Sequence, residues 1–412
     1  MSKKRTFLTK MLVVSLSFML AVGVSASVSQ AAEEEVRIGA IVALSGPLSP
    51  YGPDWLNAGE LAIEDMNRMG GVFGRKVKLF VEDSETDTEE GIKAAKKLIP
   101  INKVIAIYGP TSGVVVGIMD YAEKNKVPVI SGVSGSSRLD KTGGVYQYRT
   151  APSDSYEGLV NGAFILEELG VREAALITQN DEGTLSVARG FKEAYEKQGG
   201  RIVEEVVVNA GQATYMSSVD LAFKSNPKVV LVAADMDVTS VIIREWRRAD
   251  YGGKLVCGSD VSDSKQFVDL VGERNLEGVY YTFIASDPDT IPFQIFQAKF
   301  RNFTGRELGY GAANCYDAMA VFLLALEAAG EASGEAIAEN MRKVANPPGV
   351  VVGTIEEGKA ALMLGKEINY EGASGPVDFD EYGNVAGGYA KYVFDAEGKG
   401  VLVKYYPAGS LS

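Results

Sequence analysis

VRIGAIVALSGPLSPYGPDWLNAGELAIEDMNRMGGVFG, running from Val36 to Gly74, is the stretch that decides the fold. Its near-continuous apolar run, Val36 to Leu44, fits a strand buried on both faces, as in a parallel sheet. The run breaks at Ser45-Gly46-Pro47, a turn signal. Helical spacing then takes over, with Ala58, Leu61, Ala62, Met66 and Met69 on one face. Gly70, Gly71 and Gly74 end that helix and lead to a second strand. The result is a βαβ opening with a long, Pro/Gly-punctuated loop at the carboxyl end of its first strand. Ligands bind at that end of such sheets.

The same alternation continues outward. Strands are expected at Val77–Val81, Val104–Tyr108 and Val127–Ser131, with helices near 56–69, 88–99 and 113–125. After Arg149-Thr150-Ala151-Pro152 the pattern restarts. Strands are expected at Ala174–Thr178, Ile202–Val208, Val229–Ala233 and Leu255–Cys257, and helices near 156–169, 185–198, 214–225 and 238–249. Two successive α/β units predict two doubly wound, Rossmann-like lobes. Helices with strong apolar faces follow near 292–303 and 312–329. A hairpin is expected from Pro376–Asp380 and Tyr389–Phe394 around Glu381-Tyr382-Gly383-Asn384.

Lys3, Lys4, Arg5 and Lys10 precede an apolar segment from Met11 to about Val24, and Ser29-Gln30-Ala31 offers small residues for cleavage. Residues 1–31 therefore read as an export signal. It carries no cysteine, which argues against a lipid anchor and for a soluble, periplasmic mature protein. Its loss removes four positive charges and takes the formal charge from −13 to −17. So acidic a chain argues against nucleic-acid binding. No mature stretch is expected to be long and apolar enough to cross a bilayer. The chain has no histidine, which excludes a His general base, a His-containing triad and His metal ligands. Cys257 and Cys315 could pair in an exported protein or lie buried as separate thiols; neither has zinc spacing.

The residues also resemble a known family, the branched-chain amino-acid binding family of extracytoplasmic solute-binding proteins that serve ABC importers. The resemblance rests on LSGPLSPYG, N-x-x-GG-x-x-G at Asn67–Gly74, YGPTSG at 108–113, VPVISGVSGSSRL at 127–139 and YRTAPSDSYEG at 148–158. CGSD at 257–260 followed by LEGVYY, YDA at 316–318 and SGPVDFDEYGN at 374–384 complete it, in register along the mature chain. It implies the periplasmic binding protein type I architecture: two lobes joined by three crossings near Pro152, Ala285 and Gly375, closing on a ligand. Lobe 1 would comprise 32–152 and 285–374, and lobe 2 would comprise 153–284 and 375–412. The implied partners are a small solute and an inner-membrane permease, with the protein a monomer that needs no cofactor or metal.

Particular residues acquire two readings each. Ser112 opens a helix and suits an anionic group, the ligand carboxylate by resemblance, or is an ordinary N-cap. Val133, Ser134 and Ser136 lie in a loop that in related proteins contacts the ligand's carboxylate and amine; otherwise it is a Gly/Ser turn. The usual family threonine is replaced by Gly135 or offset to Ser136. Asp260 ends a strand and aligns with the acid that pairs with a ligand ammonium, or it caps the segment after Ser262. Asp235 follows Val229–Ala233, where a similar protein places an aromatic residue; it faces either the cleft or solvent. Tyr51 is a pocket wall by resemblance, and Trp55, one turn on, is a second wall or lobe packing. Gly183-Thr184 stands where a tyrosine is common, leaving a smaller wall. The expectation is that Ser112 and the 133–136 loop hold a carboxylate while Asp260, with or without Asp235, captures an amine.

Other classes are weaker. Ser262-Asp263-Ser264-Lys265 has S-x-x-K spacing and Lys141-Thr142-Gly143 reads K-T-G, but in the reverse of the order used by penicillin-interacting enzymes, and S-D-N is missing. No G-x-S-x-G or Walker motif is present. Asp378-Phe379-Asp380 begins like a calcium loop, but Tyr382 and Tyr389 occupy ligand positions. A sensor of the same fold, or a pocket for an aromatic or short-chain carboxylate, an amide or urea, stands as the alternative to an amino-acid pocket.

Overall fold

Sustained apolar strands and amphipathic helices assemble into two large sheets, one parallel and one mostly parallel, whose carboxyl edges face one cleft. The structure is a computed structural model and describes residues 35–411. The predicted export signal lies outside the described residues.

The first five strands are β1 (Val36–Val42), β2 (Val77–Asp83), β3 (Ile107–Tyr108), β4 (Val129–Ser131) and β5 (Gln147–Arg149). They form one sheet in the order β2-β1-β3-β4-β5, with every pairing parallel. Because β2 and β3 flank β1 on opposite sides, the winding reverses there. Reversal splays the loops after β1 and β3 apart and opens a crevice at their carboxyl ends.

The next five strands are β6 (Glu173–Gln179), β7 (Arg201–Val208), β8 (Val229–Ala233), β9 (Lys254–Cys257) and β10 (Tyr280–Ala285). A small sheet follows, β11 (Val350–Val352), β12 (Ile368–Gly372) and β13 (Gly375–Pro376), and then β14 (Gly388–Phe394) and β15 (Gly400–Tyr406). The large second sheet runs β15-β14-β10-β9-β8-β6-β7. Its β6 to β10 portion is parallel, whereas β14 and β15 add antiparallel. Here the winding reverses at β6, flanked by β7 and β8. All five residues of β8 are buried, as a strand covered on both faces requires. The chain crosses from the first large sheet to the second at 150–172, leaves the second for the small sheet at 286–349, and returns from the small sheet to the second at 377–387.

Packing explains the helices. The Gly52–Arg68 helix lays Trp55, Ala58, Leu61, Ala62 and Met66 inward. It lies against the Ala312–Ala329 helix, which is buried almost all round. Against expectation, that helix is long and apolar enough to cross a membrane by length and composition; 83% of it is buried within the protein, as in a core helix. At the start of the Gly52–Arg68 helix, a Cβ on Gly52 would sit 1.8 Å from the Ala43 carbonyl oxygen. Only glycine lets the helix start so close to the strand it follows.

The expected tail hairpin is not formed. Asp380 Oδ1 accepts the N–H groups of Tyr382 and Asn384 at 2.8 and 2.9 Å, closing a local turn. The Gly383 carbonyl accepts from Arg149 N–H, so this turn docks beside β5. Gly375–Pro376 pairs with β12 instead, and β14 pairs with β10 and β15.

Candidate functional site

The loops at the carboxyl ends of the two large sheets, at and beside the reversal points, enclose a cavity of about 420 Å³. From the first sheet come Tyr51 and Trp55 after β1, Ser112 after β3 and Val133 after β4. From the second come Asp181 and Thr184 after β6, Asp235 after β8, and Ser259 and Asp260 after β9. Seven of the nine residues singled out in the sequence therefore share one cavity wall.

The walls are in contact. The Tyr51 hydroxyl donates to the Asp260 backbone oxygen at 2.8 Å, bonding the loop after β1 to the loop after β9. Tyr51 stacks on Trp55, with centroids 6.1 Å apart, and leans on Tyr310 at 5.8 Å. Trp55 Nε1 donates to the Tyr310 carbonyl at 2.7 Å. Trp55 thus serves packing and pocket wall together. Tyr310 is a third aromatic wall, and periodicity could not reveal it because it reaches the cavity from a loop 255 residues after Trp55.

Ser134 and Ser136 do not line the cavity, which corrects the expectation for their loop. Ser131 Oγ accepts the N–H groups of Val133 and Ser134 at 3.0 and 2.9 Å, turning the loop inward. Ser134 is fully buried. The Ser136 hydroxyl donates to Glu182 Oε1 at 2.7 Å and accepts from Arg138 N–H, so it ties the loop to the helix Glu182–Lys197. The Val133 and Ser134 N–H groups of this loop are thus committed within the protein.

Asp154 occupies the ground those serines were expected to hold. A Cβ on Gly135 would lie 1.8 Å from Asp154 Oδ1, so the carboxylate fills the space of any side chain at 135. Asp154 N–H also donates to the Gly135 carbonyl at 2.8 Å. Asp154 lines the cavity, and its Oδ2 has no hydrogen-bond partner. Asp154 lies within the segment YRTAPSDSYEG, where its neighbour Ser153 caps the helix Asp154–Ala163 and nothing local marks the acid at 154 as a cavity residue.

Asp235 does two things. Its Oδ1 caps the helix Met236–Arg248 by accepting Val238 N–H at 2.9 Å, while its Oδ2, also on a buried residue at the cavity wall, is unpartnered. Thr184 is bound inward, its hydroxyl donating to the Gln179 carbonyl at 2.7 Å and to Asp181. Glu157 accepts Ser259 N–H and Oγ–H at 2.9 and 2.6 Å. Behind it, burial lowers the Lys391 ammonium to about 7, against the pull of Glu157.

Burial pushes the Asp260 carboxyl well above its ordinary range, and the negative charges of Asp181, Glu157 and Asp235 push it further. Burial likewise raises Asp154, with Glu157 adding to the effect and Arg149 opposing it. Asp181 is raised by burial and by Asp235, and held back by hydrogen bonds from Thr184. Lining acids thus include Asp154, Glu157, Asp181, Glu182, Asp235 and Asp260; no lysine or arginine lines the cavity among the described residues.

The S-x-x-K segment is committed elsewhere: Ser264 caps the helix Lys265–Val271, and Lys265 pairs with Asp269 at its surface. No cluster with the composition of a metal site occurs among the described residues.

Comparison with known proteins places these features in context. The family of periplasmic binding proteins matches residues 35–361. The chain is 25% identical over 359 residues to the chemotactic signal transduction system substrate-binding protein BasB of Halobacterium salinarum, covering 84% of each chain. It is 23% identical to the Leu/Ile/Val-binding protein homolog 3 of Brucella melitensis, covering 84% of this chain and 92% of the other. Among solved structures, the substrate-binding protein LivJ from Streptococcus pneumoniae, in complex with isoleucine, superposes with a TM-score of 0.76 at 21% identity, over 91% of this chain and 99% of that one. A solute-binding protein from Rhodopseudomonas palustris, in complex with benzoate, gives 0.74 at 17% identity, over 91% and 97%.

Proposed function

The chain belongs to the periplasmic binding protein family, and from that premise we propose that it is the extracytoplasmic solute-binding protein of an ABC importer. It takes a small amine-bearing solute into the cavity between its two large sheets and presents the closed form to an inner-membrane permease. The carrying observation is the cavity itself, which collects Tyr51 and Ser112 from the strand ends of the first sheet and Asp235 and Asp260 from those of the second.

The division into lobes proposed from the sequence gives this site its motion. Three passages of chain connect the sheets, so the halves can swing about them, and a solute touching both walls favours the closed arrangement. Asp260 anchors the amine. The first turn of the helix Ser112–Lys124, whose cap Thr111 makes no side-chain hydrogen bond, leaves N–H groups for a polar or anionic end. The name of the Halobacterium relative supports a second use of the same cleft, presentation of the loaded protein to a chemotaxis receptor.

The test is calorimetry and thermal melting with a panel of amino acids, amines, amides and organic acids. A micromolar solute binds with about −8 kcal/mol. Removing one partner of a buried charge pair costs about 2–5 kcal/mol. Asp260→Ala is expected to abolish ligand-induced stabilisation while the ligand-free protein still melts cooperatively. Unchanged affinity in that variant would refute the amine anchor.

A further inference from the structure

We infer that the solute carries at least two basic nitrogens and a net positive charge, as a dibasic amino acid or a short diamine does, and that a neutral zwitterion or an organic acid is a poor fit. This inference rests on the binding-protein reading above and sharpens it.

One ammonium does not use up the acidic groups that the cavity offers. Several lining acids already have partners in the protein: Glu157 has Ser259, Glu182 has Ser136 and Arg189, and Asp181 has Thr184. Apart from the exposed Asp87 and Glu89, three remain open to a solute. Asp235 is 4% exposed, and its Oδ2 has no partner although its Oδ1 is held by a helix cap. Asp154 has an unpartnered Oδ2. Asp260 lies within electrostatic reach of Asp235, Asp181 and Glu157, and its lining position leaves it partly accessible from the cavity. Buried acceptors without donors are costly, and buried like charges more so. A solute with two separated cationic groups relieves both costs at once.

The far side of the cavity supports the same reading. Where a carboxylate would meet the 133–136 loop, the Val133 and Ser134 N–H groups are taken by Ser131, and the Asp154 carboxylate sits against Gly135. The electropositive feature left is the first turn at Ser112 and Gly113, enough for one carboxylate beside two cations. Tyr51, Trp55 and Tyr310 add ring faces on which an alkylammonium stem can lie.

The full chain is titrated with lysine, ornithine and arginine as one arm, putrescine and cadaverine as a second, and leucine, isoleucine and benzoate as a third. Members of the first or second arm are expected to bind about 100-fold more tightly than any of the third, the scale set by one additional buried charge pair. Preference for the first arm over the second means that the Ser112 turn holds a carboxylate; the reverse means that it does not, and either supports the inference. Leucine or isoleucine binding more tightly than every dibasic compound overturns the inference while leaving the binding-protein reading intact. No binding by any compound to protein that melts cooperatively overturns both. Asp154→Asn and Asp235→Asn, the second keeping its capping oxygen, are expected to weaken the dibasic solute about 30-fold with little change for leucine. An equal loss for both solutes would mark these acids as scaffolding and count against the inference.

Discussion

At the scale of single residues, the site is a set of carboxyl groups held where water is scarce. Asp154 and Asp260 keep their protons to higher pH in the folded chain than in the unfolded one, chiefly through burial. Between the ordinary carboxylate range and those raised values, the folded state binds more protons, so its stability falls as pH rises. The groups facing Asp154 are Glu157, Asp260, Asp140 and Arg149, and those facing Asp260 are Asp181, Glu157 and Asp235. Asp154→Asn removes one titrating member without removing its neighbours. The plot of melting temperature against pH, above the ordinary carboxylate range, is therefore expected to slope downward less steeply in that variant than in the parent. A cationic solute favours the ionised carboxyls, so its affinity should weaken as pH falls through the same window, which calorimetry in two buffers of different ionisation heat would reveal as proton release. Tyr51, Ser112, Asp235 and Asp260 were legible because each follows a strand end in a recognisable segment. Asp154 and Tyr310 were not, since their places depend on the Gly135 contact and on the Trp55 bond.

Among elements, periodicity served best where burial is uniform. Val229–Ala233 and Ala312–Ala329 were read to the residue because one is covered on both faces and the other on nearly all sides. It served poorly where pairing is non-local. Nothing local to Pro376–Asp380 says that the Asp380 carboxylate will close its own turn and leave β14 to find β10 and β15. The strands β5, β11, β12 and β15 are short or peripheral, and they lack the sustained pattern on which such reading depends. The central helix also carries the largest mutational liability. Leu323 is fully buried within it. Leu323→Ala is expected to cost about 2–5 kcal/mol through lost burial and the cavity left behind, measurable by urea unfolding with an unchanged m-value.

For the molecule as a whole, the two α/β units were legible from the restart of alternation after Pro152. The cleft was legible only as a rule about where strands end. What the sequence left open, the pairing of Cys257 and Cys315, the structure resolves: both are free and buried, with burial pushing each thiol up to about 12. Cys257 ends β9 in the second sheet, and Cys315 sits in the central helix beside Tyr108 of the first. Neither forms a crosslink, so the chain can reach its native state in an oxidising compartment without any disulfide catalyst. Each thiol is also a built-in clock, silent toward a modifying reagent until its own half breathes open. Timed alkylation read by peptide mass would report the two halves separately. A bound solute that clasps both should slow the two clocks together.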